Sequence, residues 1–396
     1  MNTKDATTEK LWSGKLTFIL VIGMLYTFTF QLMAPILTMY AVSLNASLAL
    51  AGVLTGILAF TALAMRPVTG IITDTYNKKT LLFVSALLTS FAVLFYSFAK
   101  NIEALFVFRI IHALGFVIFT TVNLTLSSFY IPASRLGEGL GYVGLSQTII
   151  ATIAPGVGLS ISQRYGYNAV FYTAFVCATI VTIFVLFIQP ANKITQKLPF
   201  EKHKIRFQDF ISIKLFPYAG LAGAFSLSSA IIMYFIAFIA KEKAIQNISL
   251  FFTVNAAALL VIRPIIGKLQ DKRGAFAMLL PASLFTAAAM IMIAKASSTY
   301  HIIFSAVFNA IGQGIAMPAL QAECFRKLPE QRGVATSTLY IGSDIAQIIA
   351  PILGGTISSI FGYEVTFFST GVVMIITFAV LIIYVITAKM SKKATN

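Results

Sequence analysis

No charged side chain interrupts the chain between Leu16 and Met65, a run of 50 residues. One membrane-spanning helix needs about 20 apolar residues, so the run predicts two helices that turn near Ser43–Ser47. Apolar segments then recur between polar breaks at 74–79, 100–103, 132–138, 164–167, 189–214, 241–247, 268–273, 295–301, 326–332 and 362–364. Twelve spans result. Each is a continuous apolar run of roughly 20 to 25 residues and not a ten-residue alternation, which excludes a β-barrel. The first apolar stretch, Leu16 to Tyr40, is longer than the core of a signal peptide and lacks a small-residue cleavage pattern after it, so it is predicted to be retained.

The longest polar break lies near the middle, and its Pro190, Pro199 and mixed charges suit a solvated linker. The pattern predicts a cytoplasmic N-terminus at 1–14, a six-helix bundle at 15–189, a cytoplasmic linker at 190–213, a second six-helix bundle at 214–388 and a cytoplasmic C-terminus at 389–396. The fold class is an all-α polytopic membrane protein of twelve transmembrane helices in two pseudo-symmetric six-helix bundles.

Composition agrees with the bilayer: 58 % of residues are hydrophobic, 11 % are charged and the mean hydropathy is +0.88. Soluble globules carry roughly a quarter charged residues. The formal net charge of +16 is informative only through its distribution. Even-numbered connections and both termini hold 23 Lys and Arg, odd-numbered connections hold five, and one, Arg109, falls inside a span. The positive-inside rule puts both termini and the linker in the cytoplasm. A surplus spread over every cytoplasmic loop is a topology signal and not a nucleic-acid footprint. Two cysteines, Cys177 and Cys324, both in apolar surroundings, leave no disulfide framework and no Cys-based metal site.

The two halves repeat one another. Arg66-Pro67, Gly70 and Asp74 recur 197 residues later as Arg263-Pro264, Gly267 and Asp271. Gly137, Pro155, Gly158, Gly166 and Tyr167 recur 196 residues later as Gly333, Pro351, Gly354, Gly362 and Tyr363. Six helices duplicated with both termini on one side form a parallel repeat about the membrane normal.

On these residues the chain resembles the major facilitator superfamily of secondary transporters over essentially its whole length. The superfamily's loop pattern is Gly, three residues, Asp, two residues, Gly and then basic residues. Here it reads Gly70, Asp74, Asn77, Lys78 and Lys79. Asn77 departs from the second Gly, but Asn is the next residue most tolerant of left-handed backbone, so a tight turn is still predicted. The resemblance implies gating by Gly70, Asp74 and Lys78 and by their second copies Gly267, Asp271 and Arg273, with Asp74 latching the two halves. It adds Pro155, Gly158 and Pro351 in the fifth and eleventh spans. Gly141, Pro155 and Gly158 match the exporter motif of the fifth span, while Ile150, Ala154 and Leu159 depart from it. Arg109-Ile-Ile-His112-Ala-Leu-Gly115 is similar to the fourth span of the antiporter branch, and Gln31 stands in a first span with no membrane acid.

Ionisable side chains at bilayer depth are costly and therefore functional candidates. Arg109 and His112 share one face of the fourth span with Phe116, Thr120 and Asn123. Arg109 offers a fixed charge or an anion anchor, and His112, an imidazole, a proton relay. The plainer alternatives are a locally paired or snorkelling Arg and a His that donates to a backbone carbonyl. Asp344 is the only carboxylate well inside a span and aligns with Tyr340, Gln347 and Pro351; it is a proton-loading candidate or, alternatively, a structural cap or ion-pair partner. Glu323 reads as a solvated or paired acid.

The resemblance implies a cavity lined by the first, fourth, seventh and tenth spans. Their polar faces offer Gln31, Arg109, His112, Asn123, Ser226, Met233, Asn309, Gln313 and Met317. Uncharged hydrogen-bonding groups among Met and Phe describe a site for an amphipathic small solute. No cofactor is implied, because no Gly-rich Lys motif cradles a phosphate and the ion gradient must supply the energy.

The reading is a proton-driven exporter of a small amphipathic molecule in a plasma membrane, working by alternating access. A proton-coupled importer of a small solute, anionic or not, is the alternative, and an intramembrane enzyme or receptor is remote, since His112, His203 and His301 lie far apart. The partners expected are a small-molecule substrate, protons and the lipid bilayer, and a monomer suffices.

Overall fold

The computed structural model describes residues 9–188 and 210–394. Most of the predicted linker, 190–209, lies outside the described residues, as do 1–8 and 395–396 of the predicted termini. The helices are α1 (Gly14–Ser43), α2 (Leu48–Thr75), α3 (Lys78–Tyr96), α4 (Ile102–Tyr130), α5 (Leu136–Tyr165), α6 (Tyr167–Leu186), α7 (Phe216–Glu242), α8 (Ser249–Arg273), α9 (Ala275–Ala294), α10 (Thr299–Lys327) and α11 (Arg332–Ala394). No strand occurs among the described residues. Among the described residues, eleven helices are long and apolar enough to cross a membrane. The 63 residues of α11 would extend roughly 95 Å at 1.5 Å per residue, about three times the hydrocarbon thickness. Gly362 breaks it with φ 85° and ψ 166° into 332–361 and 363–394, so the predicted eleventh and twelfth spans run together without a loop.

Local chemistry explains the boundaries. Ser13, Ser47, Asn77 and Asn101 cap α1 to α4, each side chain accepting from a backbone N–H of the first turn. The tight turn expected at Asn77 from left-handed backbone is corrected here. Asn77 has φ −63° and ψ 116°, and its Oδ1 accepts from Lys79 N at 2.9 Å. In the second copy Gly274 does take φ 84° and joins α8 directly to α9. Gly166 and Gly362, one repeat apart, take φ 81° and 85° at equivalent junctions. Where a side chain would be strained, only Gly passes easily.

The chain divides into two compact units. The first comprises Met1–Ala133, Val143–Lys214 and Leu328–Thr338; the second comprises Ser134–Tyr142, Leu215–Lys327 and Leu339–Asn396. Each unit therefore takes in a short segment from the other half of the sequence, at the start of α5 or of α11.

The same positions fill both cores. Val93, Tyr96, Leu105 and Phe171 are buried together in the first unit. Met290, Ile293, Ile302 and Phe367, one repeat later, are buried together in the second. Close helix approach repeats as well. A Cβ on Gly115 of α4 would come within 2.9 Å of the Ser85 carbonyl oxygen of α3 and would meet Thr89. A Cβ on Gly312 of α10 would come within 3.0 Å of the Ala282 carbonyl of α9 and would meet Thr286. Small residues let membrane helices pack backbone to backbone, and the repeat places that contact at the same register twice.

Candidate functional site

Two loops carry the clearest site geometry. Asp74, at the end of α2, is buried, and its carboxylate accepts from the backbone N–H of Gly333 at 2.7 Å and of Val334 at 2.8 Å, all within the first unit. These N–H groups open α11 and have no helical partner of their own. A carboxylate there meets both the free donors and the positive end of the helix dipole. Gly70, one turn earlier, makes room: a Cβ would lie 3.0 Å from the Ser337 side chain and 3.1 Å from Val334 Cα. Lys78 is buried with its Nζ 5.6 Å above the Phe129 ring. Arg332 lies over the same ring at 4.4 Å and donates from Nη1 to the Ser128 carbonyl at 2.6 Å.

The second unit repeats this arrangement. Asp271 accepts from Gly137 N at 2.8 Å and Glu138 N at 2.9 Å, at the start of α5. A Cβ on Gly267 would lie 2.6 Å from Glu138 Cα. Arg273, the cation named from the sequence, is exposed; Arg326 Nη2 is the one that reaches Asp271, at 3.2 Å. Glu138 has no acidic counterpart in the first copy, where Val334 stands. It is paired by Arg135 at 2.7 Å and approached by Lys268 at 3.8 Å. The fifth-span motif falls where α5 meets α1: a Cβ on Gly158 would clash with the Leu32 carbonyl. Pro155 and Pro351 sit half-buried inside α5 and α11.

The polar face of α4 is brought together with side chains from other helices. Arg109 is buried, donates from Nε to the Leu54 carbonyl at 3.3 Å and lies over the Phe30 ring at 5.8 Å. His112 is fully buried, its Nδ1 3.2 Å from the Tyr96 hydroxyl, and its Nε2 has no hydrogen-bond partner among the described residues. Phe30 packs edge-on to the imidazole at 5.6 Å. Tyr96 was not singled out in the sequence, where its spacing on α3 is ordinary; only helix packing puts it beside His112. Asn123, further along, is buried with its Nδ2 2.9 Å from where a Cβ on Gly23 of α1 would stand. Gln31 is half-buried.

In the second unit Asn309 of α10 is buried and donates to Asn255 of α8 at 2.9 Å, and Gln313 donates to the Phe225 carbonyl of α7 at 3.0 Å. Ser226 and Met317 are half-buried, and Met233 is 70 % exposed. Asp344 is half-buried on 332–361. Glu323 lies 3.9 Å from Arg326. No group of three or more His, Cys, Asp or Glu able to hold a metal occurs among the described residues.

Duplicated carboxylate caps at two helix starts, in a chain of apolar helices, agree with a sequence comparison. The profile of the Major Facilitator Superfamily matches residues 19–240 and 218–396. The chain belongs to the major facilitator superfamily. This member is a multi-pass membrane protein and a secondary transporter of a small molecule, not an enzyme. An uncharacterized MFS-type transporter of Methanocaldococcus jannaschii is 23 % identical over 86 % of this chain and 93 % of its own. The multi-drug resistance efflux pump PmrA of Streptococcus pneumoniae is 22 % identical over 81 % of this chain and 82 % of its own. In fold, the crystal structure of the human organic anion transporter MFSD10 superposes with a TM-score of 0.75 at 14 % identity, over 93 % of this chain and all of that one.

Proposed function

We propose that this transporter exports a small amphipathic molecule in exchange for protons, by alternating access, across a plasma membrane with both termini and the 190–213 linker on the cytoplasmic side. The observation that carries export is the likeness to a multidrug efflux pump, which runs through both six-helix halves of the chain. In this reading the bundles span 15–189 and 214–388. Asp344 loads and releases the proton, with Arg109 and His112 in support. Gln31, Asn123, Ser226, Met233, Asn309, Gln313 and Met317 contact the substrate. The loops at Gly70, Asp74 and Lys78 and at Gly267, Asp271 and Arg273 gate the cycle, with Pro155, Gly158 and Pro351 shaping the helices that move.

Apolar contact with few fixed charges suits a ligand with a large hydrophobic body. Arg109 is engaged by the Leu54 carbonyl and the Phe30 ring, which supports a positioning role over a simple anion hook. Everted membrane vesicles test the direction: with the lumen acidified, a fluorescent lipophilic dye should accumulate inside. Accumulation confined to right-side-out vesicles would establish import instead.

A further inference from the structure

Three buried polar side chains of the first unit make a chain of hydrogen-bonding groups with one open end. Arg109 and His112, three residues apart on α4, meet Tyr96, the last residue of α3. The Arg109 guanidinium reaches the Tyr96 hydroxyl, and that hydroxyl lies 3.2 Å from His112 Nδ1. His112 Nε2, at the far side of the ring, has no hydrogen-bond partner among the described residues.

The donor inventory orients the chain. A guanidinium carries donors and no acceptor, so the Tyr96 oxygen accepts on its Arg109 side. Among the described residues the phenolic proton then has one acceptor, His112 Nδ1. Nδ1 is therefore the bare nitrogen of a neutral imidazole, and the ring proton sits on Nε2. The opposite tautomer would strand two groups instead of one: Nδ1–H would donate to the Tyr96 oxygen, leaving the phenolic proton and a bare Nε2 both without partners. Buried polar groups are nearly always satisfied, which selects the arrangement with a single open group. That group is a donor set among rings. Phe30 lies edge-on to the imidazole at 5.6 Å and packs on Phe116 at 4.4 Å, and both phenylalanines are half-buried.

We propose that His112 binds the transported molecule by donating its Nε2–H to a neutral acceptor, a carbonyl on a flat aromatic body that lies against Phe30 and Phe116. This rests on the reading that α4 lines the substrate site, and it gives His112 a binding part there instead of a proton-carrying one. Tyr96 is a positioning residue: its hydroxyl, oriented by Arg109, fixes the tautomer that leaves the donor free for the ligand. The assignment holds for either direction of transport.

With His203→Asn and His301→Asn, His112 becomes the chain's one histidine. Nitrogen-15 spectra of this full-length protein in nanodiscs at neutral pH should show a bare Nδ1 and a protonated Nε2. Tyr96→Phe should turn that into a mixture of both tautomers, which a loss of packing alone does not produce. Fluorenone and fluorene, the same flat three-ring frame with and without a carbonyl, then probe the donor. Fluorenone should move the Nε2 signal and fluorene should leave it in place. The affinity ratio of fluorenone to fluorene should fall about fivefold in His112→Leu, the worth of one neutral hydrogen bond, and stay near the wild-type value in His112→Gln, which keeps a donor. A proton on Nδ1, an imidazolium at neutral pH, an Nε2 signal unmoved by fluorenone, or an unchanged ratio in His112→Leu would each overturn the proposal. None of these readouts uses a pH gradient or flux, so an exporter shown to be an importer would leave them standing.

Discussion

At the scale of single residues, the proposed mechanism turns on the contrast between Arg109 and Asp344. Arg109 is held on the backbone of α2 and over the Phe30 ring, so its charge is fixed in place. Asp344 is half-buried on a helix that also carries Tyr340 and Gln347, and a carboxylate can change charge during a cycle where a guanidinium does not. Asp344→Asn should therefore abolish the dependence of flux on the pH gradient while membrane insertion stays normal. Flux after a pH jump in vesicles checks this, and wild-type pH dependence in the variant would remove Asp344 from the coupling role. Arg109→Ala should stop transport at unchanged expression, whereas Tyr96→Phe removes only the hydroxyl beside His112 and should leave an intermediate rate. The polar face of α4 was legible in the sequence because its members are three or four residues apart on one helix. The partners Phe30, Leu54 and Tyr96 were not, since they come from three other helices and depend on packing that no periodicity encodes. Arg326 was missed for the same reason: Arg273 is nearer to Asp271 in sequence, but Arg326 of α10 is the neighbour in space.

At the scale of elements, the repeat extends below the motifs that reveal it. Gly115 against α3 and Gly312 against α9 make the same close approach, and the buried aromatic Phe171 has Phe367 as its equivalent. Helix number and register were legible because charge and Gly punctuate a strongly apolar chain. The joining of the last two spans through Gly362 was not, since a single residue with positive φ leaves the same sequence signal as a short loop. Gly115→Ala and Gly312→Ala should each cost about 1–3 kcal/mol through overpacking, and to a similar extent. Gly355→Ala, where a Cβ meets nothing within 4 Å, should be neutral. Thermal unfolding of the purified variants in detergent measures all three, and a neutral Gly312→Ala would show that α9 and α10 yield at this contact without cost.

At the scale of the molecule, the 23 basic residues of the even connections and termini predict one orientation. After Cys177→Ser, a cysteine replacing Lys100 should react with an impermeant maleimide in intact cells, and one replacing Lys268 only after permeabilisation. The reverse pattern would invert the topology and, with it, the side on which the Asp74 and Asp271 caps lie.

The shared ownership of α5 and α11 has a consequence for biosynthesis. The first unit includes residues 328–338, and among the described residues the Asp74 carboxylate finds its backbone donors at Gly333 and Val334. Translation proceeds at about 5–20 residues per second, so about 7 to 30 s separate the synthesis of Leu186, the last residue of α6, from that of Gly333. Until Gly333 and Val334 have been made, the Asp74 carboxylate lacks the two backbone donors that cap it in the finished structure.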